Sequence, residues 1–139
     1  MVDEVADIGP AERRQRQRFM ARRWGDVCFW VDLNGEHLPV NDVSLEGFSV
    51  PSMARPPEPK TFPFVLQLAG IPDRISGMAQ MMNFISTDGG GQLGCRFSSF
   101  DGEGSERLHD WLTTHVIAMA TVRISEKEAA AIVSGPSLI

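Results

Sequence analysis

No apolar run in this sequence approaches the roughly 18 residues that a membrane-crossing helix needs. The longest candidates, around Val27 to Val31 and Thr114 to Thr121, are short or interrupted. An export signal is also missing, because the N-terminus MVDEVADIGP is acidic and has neither a basic start nor an apolar stretch. These absences imply a chain that stays in water and in the cytoplasm. Cysteine is scarce: Cys28 and Cys95 lie far apart, each in an apolar alternating context, with no CxxC pair and no histidine at ligand spacing. They read as reduced core thiols, and neither a disulfide nor a metal site is expected. His37, His109 and His115 have no shared partner visible in the sequence, so each reads as solvated or structural. The chain also lacks repeats, low-complexity tracts, a nucleophile elbow and a carboxylate pair that stands out from surface charge, so no enzyme is expected.

What is present is 139 residues, 42% hydrophobic and 22% charged, which is room and composition for one folded core. The net charge of −5 taken alone argues against a polyanionic ligand. Its distribution argues otherwise. Six arginines (Arg13, Arg14, Arg16, Arg18, Arg22 and Arg23) stand against the single acid Glu12, while the other seven basic residues face seventeen acids. The absence of lysine from this cluster favours forked, planar recognition of phosphate or of a guanine edge.

After the arginines the periodicity is that of strands, with Val27, Phe29, Val31 and Leu33 alternating against Cys28, Trp30 and Asp32. Asn34-Gly35 is a strong hairpin signal, since both residues tolerate the positive φ of a type I′ turn. The return strand runs through Leu38 and Val40 to Asp42-Val43-Ser44-Leu45-Glu46-Gly47, after which Phe48 and Val50 resume the alternation. Residues 51–61 carry four prolines and read as a loop. Phe62, Phe64, Leu66 and Leu68 mark another strand. Residues 75–86 fit a methionine-rich helix turn or a strand with one face at Met78, Gln80, Met82 and Phe84; Gly77 and Asn83 weaken the helix, and strand is the reading adopted. Asp88 to Gly91 is a glycine turn before a strand with Leu93, Cys95 and Phe97 on one face. A helix starts near Ser105 as its cap, with Leu108, Trp111, Leu112, His115 and Val116 on one stripe. Ser125 and Glu128 fit a capping box for a second short helix ahead of a frayed SGPSLI tail. This order describes a mainly β protein, a small antiparallel barrel capped by a helix.

Arg18-Phe19-Met20-Ala21-Arg22 before the first strand and Asp42-Val43-Ser44-Leu45-Glu46-Gly47 after the first hairpin give an Arg-x-x-x-Arg and an Asp-x-Ser-x-x-Gly element. This pairing resembles the PilZ domain, and Gly94-Cys95-Arg96-Phe97 followed by a helix with Leu108 and Trp111 is similar to the way such domains close. The resemblance covers about residues 13–123, leaving an acidic tail at 1–12 and a short helix and tail at 124–139. It implies a six-stranded antiparallel β-barrel with a C-terminal helix, acting as a bacterial, non-catalytic receptor for cyclic di-GMP without a further cofactor. On the same resemblance Arg18 and Arg22 contact phosphate and the guanine Hoogsteen edge. Asp42 accepts from guanine N1–H and the N2 amino group, Ser44 adds a hydroxyl contact, and Gly47 lets the ligand lie close. Arg14 to Arg18 also satisfies Arg-x-x-x-Arg. The register 18 and 22 is adopted because Arg22 is nearer the first strand, although Arg23-Trp24-Gly25-Asp26 intervenes.

Two other readings stay open. One is a PilZ-fold interaction module that works without nucleotide; the other is a small barrel that binds single-stranded nucleic acid, disfavoured by the acidity of the rest of the chain. No DNA or RNA partner is expected. The stretch VRISEKEAAAIV looks like the region after the barrel in alginate-type polysaccharide regulators, so an effector protein of polysaccharide synthesis or motility is the expected partner.

Overall fold

The computed structural model describes residues 16–52, 61–87 and 90–136. Arg13, Arg14, the tail at 1–12, most of the proline loop, Asp88-Gly89 and the last three residues lie outside the described residues. Among the described residues ten strands and two helices follow one another: β1 Phe19–Met20, β2 Arg22–Arg23, β3 Asp26–Val27, β4 Phe29–Leu33, β5 Glu36–Pro39, β6 Asp42–Val43, β7 Gly47–Ser52, β8 Thr61–Leu68, β9 Arg74–Thr87, β10 Gly90–Phe100, α1 Gly104–Met119 and α2 Glu126–Ser134.

Eight strands form one antiparallel sheet in the order β1-β6-β7-β10-β9-β8-β4-β5, and β2 with β3 forms a separate hairpin. The mainly β class agrees with the sequence, but the sheet is a curled half-barrel of eight strands rather than a ring of six. The two additional strands are β1, from the arginine segment, and β6; β1 to β3 are all two-residue strands, too short for an apolar pattern of their own. They exist because longer elements hold them: β1 pairs with β6, and the Cys28 N–H donates to the Ala21 carbonyl at 2.8 Å. β5 and β6 stand near opposite ends of the sheet order, yet only Val40 and Asn41 separate them in the chain. The Val40 N–H donates to Phe29 and the Asn41 N–H to Ser49, so these two residues stitch β4 to β7 across the curl.

The alternation of β4 is realised in full, with Phe29, Val31 and Leu33 buried. Residues 74–87 are strand, as expected for 75–86, but the inward face is the odd-numbered one and not that of Met78, Gln80 and Met82. Ile75, Ala79 and Met81 are buried, while Met78 and Met82 face solvent. A register shift between Met81 and Asn83 then changes the phase of the strand, and Phe84 is half-buried. The strand before the proline loop continues through Pro51 and Ser52, two residues into the segment read as loop. The Ser49 carbonyl points toward the β6 side, so Pro51, two residues on, faces the same way beyond the end of β6, where no ladder donor is required.

Over the open side of the sheet lies α1, and Leu108, Trp111, Leu112, His115 and Val116 are all buried, as the stripe requires. Its start differs from expectation. Glu103 occupies the N-cap with no side-chain hydrogen bond, and the Ser105 hydroxyl instead donates to Glu106 Oε1 at 3.4 Å. The Ser125–Glu128 capping box of α2 is formed reciprocally, at 3.1 and 2.8 Å. Ala129 and Val133 of α2 join the same core. Cys28 and Cys95 are free thiols, and burial pushes the pKa of Cys95 up to about 12.

Candidate functional site

The pairing of β1 with β6 sets Phe19 opposite Val43 and Met20 opposite Asp42. It therefore brings the two sequence motifs together. Arg18 Nη1 lies 3.9 Å from Asp42 Oδ1, on a carboxylate whose other oxygen accepts from the Ser49 hydroxyl at 2.8 Å. Ser49 is buried, so one side of Asp42 is fixed to the sheet while Arg18, about half exposed, reaches it from solvent.

Ser44 is 3% exposed, and its Oγ accepts from the N–H groups of Glu46 at 3.0 Å and Gly47 at 3.3 Å. The Ser44 N–H also donates to the Gly47 carbonyl at 2.8 Å. The hydroxyl thus shapes a tight turn that displays Leu45 and Glu46, and its own proton is what it has left to offer a ligand. Gly47 is held close by the sheet itself, because a Cβ there would overlap the carbonyl oxygen of Cys95 on β10.

Arg22 stands in β2, opposite Val27, outside the main sheet. Its hairpin is tied to the site at its base, where the Ala21 N–H donates to the Asn41 carbonyl at 2.9 Å. His115 provides a second anchor. Its Nε2 lies 2.6 Å from the carbonyl oxygen of Met20, between Arg18 and Arg22 in the chain, and its ring packs edge-on against Phe29. A carbonyl can only accept, so the proton sits on Nε2. Burial pushes the pKa of His115 down; the Met20 carbonyl opposes this and the nearby Arg23 charge adds to it.

A cleft of about 380 Å³ adjoins the Ser44–Gly47 turn, lined by Arg16, Leu45, Glu46, Phe100 and the first turns of α1 through His109. This is within the ~300–1,000 Å³ range of small-molecule sites. Glu46 and Glu106 stand against Arg16 around this cleft, whereas Arg18, Arg22 and Arg23 outnumber Asp26 and Asp42 on the β1–β3 side. An anionic group is therefore attracted to the arginine side and a neutral or hydrogen-bond-donating group to the cleft.

Sequence reading singled out Arg18, Arg22, Asp42, Ser44 and Gly47, and the structure brings Arg18 to Asp42 and puts Ser44 and Gly47 in the adjoining turn. Arg14, the alternative register, lies outside the described residues. Arg16, Trp24 and His115 were not singled out for the site. Trp-Gly between Arg23 and Asp26, two opposite charges, is the signal that could have exposed the β2–β3 hairpin; nothing local could have placed His115 against Met20, 95 residues away.

These features define a curled-sheet β domain with C-terminal helices and an arginine–carboxylate site at the start of the sheet. No family model matches the sequence, and no curated protein matches it. Among solved structures, the Bacillus subtilis inhibitor of motility MotI/DgrA is similar with a TM-score of 0.56 at 13% identity, over 75% of this chain and 52% of that one. An uncharacterized Legionella protein, Lpg0364, aligns with a TM-score of 0.48 at 14% identity, over 73% of this chain and 92% of its own. The likeness to MotI/DgrA shows the fold alone and spans about half of that protein. Among the described residues, no helix is long and apolar enough to cross a membrane.

Proposed function

We propose that this chain is a PilZ-type receptor domain for cyclic di-GMP, with no catalytic activity of its own, that acts in the cytoplasm and passes the ligand's level to a partner protein. The observation that carries this reading is the approach of Arg18 to Asp42, 24 positions apart in the sequence, at 3.9 Å on neighbouring strands. The two residue types that would bind phosphate and a guanine Watson–Crick edge thus share one site. An exposed ion pair of this length is worth only about 0–1 kcal/mol, so Arg18 can exchange the carboxylate for a ligand phosphate at little cost. Asp42, held by Ser49, remains to accept from guanine N–H groups. The likeness to MotI/DgrA, named as an inhibitor of motility, favours motility machinery as the partner, with polysaccharide synthesis as the alternative.

Calorimetric titration of cyclic di-GMP tests the reading. Wild type is expected to bind selectively over GTP and cyclic di-AMP, and Arg18→Ala and Arg22→Ala to weaken binding on the order of tenfold or more, as for charged hydrogen bonds. Arg14→Ala is expected to leave it unchanged; loss with Arg14→Ala and not Arg22→Ala would move the register. Absence of heat and of competition at high ligand concentration overturns the receptor reading.

A further inference from the structure

The β2–β3 hairpin turns through Trp24-Gly25, with Arg22 opposite Val27 and Arg23 opposite Asp26. Its two turn residues have φ of 51° and 87°. Asn34-Gly35, another tight hairpin among the described residues, has φ of 51° and 84°. Asparagine adopts this conformation readily, whereas a bulky aromatic residue there is a backbone outlier. Tryptophan is therefore a poor choice for making the turn, and the turn gives its indole nothing to pack on: Trp24 is 91% exposed. One neighbour does approach, the Arg23 guanidinium carbon, 4.8 Å from the ring centroid. The tip of the hairpin thus carries an open aromatic ring among cationic groups. Its base is fixed to the site by the Ala21–Asn41 and Cys28–Ala21 hydrogen bonds. The ring is three residues from Ala21, about 10 Å of extended chain.

We infer that Trp24 is a stacking platform for a guanine base of the dinucleotide, with Arg22 and Arg23 drawing in its phosphates. The inference rests on the receptor reading above and adds to it a residue outside both sequence motifs. A planar, anionic ligand matches the surface on both counts: the indole face offers a π-stacking partner, and the arginines supply opposite charge. The Arg23 guanidinium beside the ring favours an anionic partner over an apolar one, with Asp26 standing opposite Arg23 in the hairpin.

The decisive variant is Trp24→Asn, which restores to the turn the residue type its φ favours. It is expected to raise the thermal midpoint or leave it unchanged while weakening cyclic di-GMP binding on the order of tenfold, as removal of one base–aromatic stack does. Trp24→Phe, which keeps a ring, is expected to recover most of the affinity and to lose the Trp24 part of the ligand-induced fluorescence quenching expected of wild type. The same titrations with Arg18→Ala, and sedimentation with phosphatidylserine vesicles, separate the outcomes. Unchanged affinity in Trp24→Asn alongside loss in Arg18→Ala overturns the stacking role and leaves the receptor reading intact. No binding by wild type removes both. Vesicle binding that depends on Trp24, with dinucleotide affinity unchanged, overturns the inference in favour of a membrane-surface contact.

Discussion

Gly47 ends the Asp-x-Ser-x-x-Gly element, and the resemblance gives it the task of letting a ligand approach. The structure gives it an additional one, since β10 already occupies the space a side chain would need. Gly47→Ala is therefore expected to destabilise the fold by roughly 1–3 kcal/mol through overpacking against a ladder. Urea denaturation checks this, and a midpoint within error of wild type would contradict it. Asp42 and Ser44 were legible in the sequence as polar residues of one short motif. What was not legible is that each is already engaged, Asp42 by Ser49 and Ser44 by the amides that follow it. Those bonds depend on turn and register geometry that residue type alone does not convey.

Between elements, the informative contact is that of α1 with β1 through His115 and Met20. The ring is neutral in the fold because burial holds its pKa below the ordinary value of 6.5. As pH falls below that value, the unfolded chain takes up a proton that the folded ring refuses. The stabilisation is thus complete above 6.5 and is lost as pH falls toward the depressed folded value. The urea midpoint is expected to drop more for wild type than for His115→Gln between about pH 7.5 and about pH 5.5, the range that spans histidine titration. Glutamine can still donate to Met20, and carboxylates titrating in both proteins cancel; midpoints that move in parallel would contradict the account. Elements with strong internal patterns were legible: the alternation of β4, the Asn34-Gly35 turn, the α1 stripe and the α2 capping box. The start of α1 near Ser105 was legible but its cap was not, because Glu103 holds the N-cap position without a side-chain hydrogen bond. β1 to β3 escaped notice because two-residue strands are too short to have a periodicity to detect.

Across the whole molecule, the curl of the sheet makes a site out of segments that the sequence keeps apart. Residues 39–42 carry the chain from one end of the sheet to the other, which sets the first hairpin's return strand beside the arginine segment. The six strands implied by the resemblance leave out β1, the two-residue strand Phe19–Met20 that joins the arginine segment to the sheet beside β6. Of the cationic charge concentrated in that segment, on a chain of net charge −5, Arg18 flanks the β1 edge and Arg22 and Arg23 lie in the β2–β3 hairpin. The most direct test of a ligand site at this edge is an amide chemical-shift map of the isotope-labelled protein on addition of cyclic di-GMP. The account predicts shifts concentrated at Arg18–Val27 and Asp42–Gly47, with the Asn34-Gly35 hairpin, built on the same turn geometry without flanking arginines, left unmoved. An unchanged spectrum, or shifts confined to other surfaces, would contradict it.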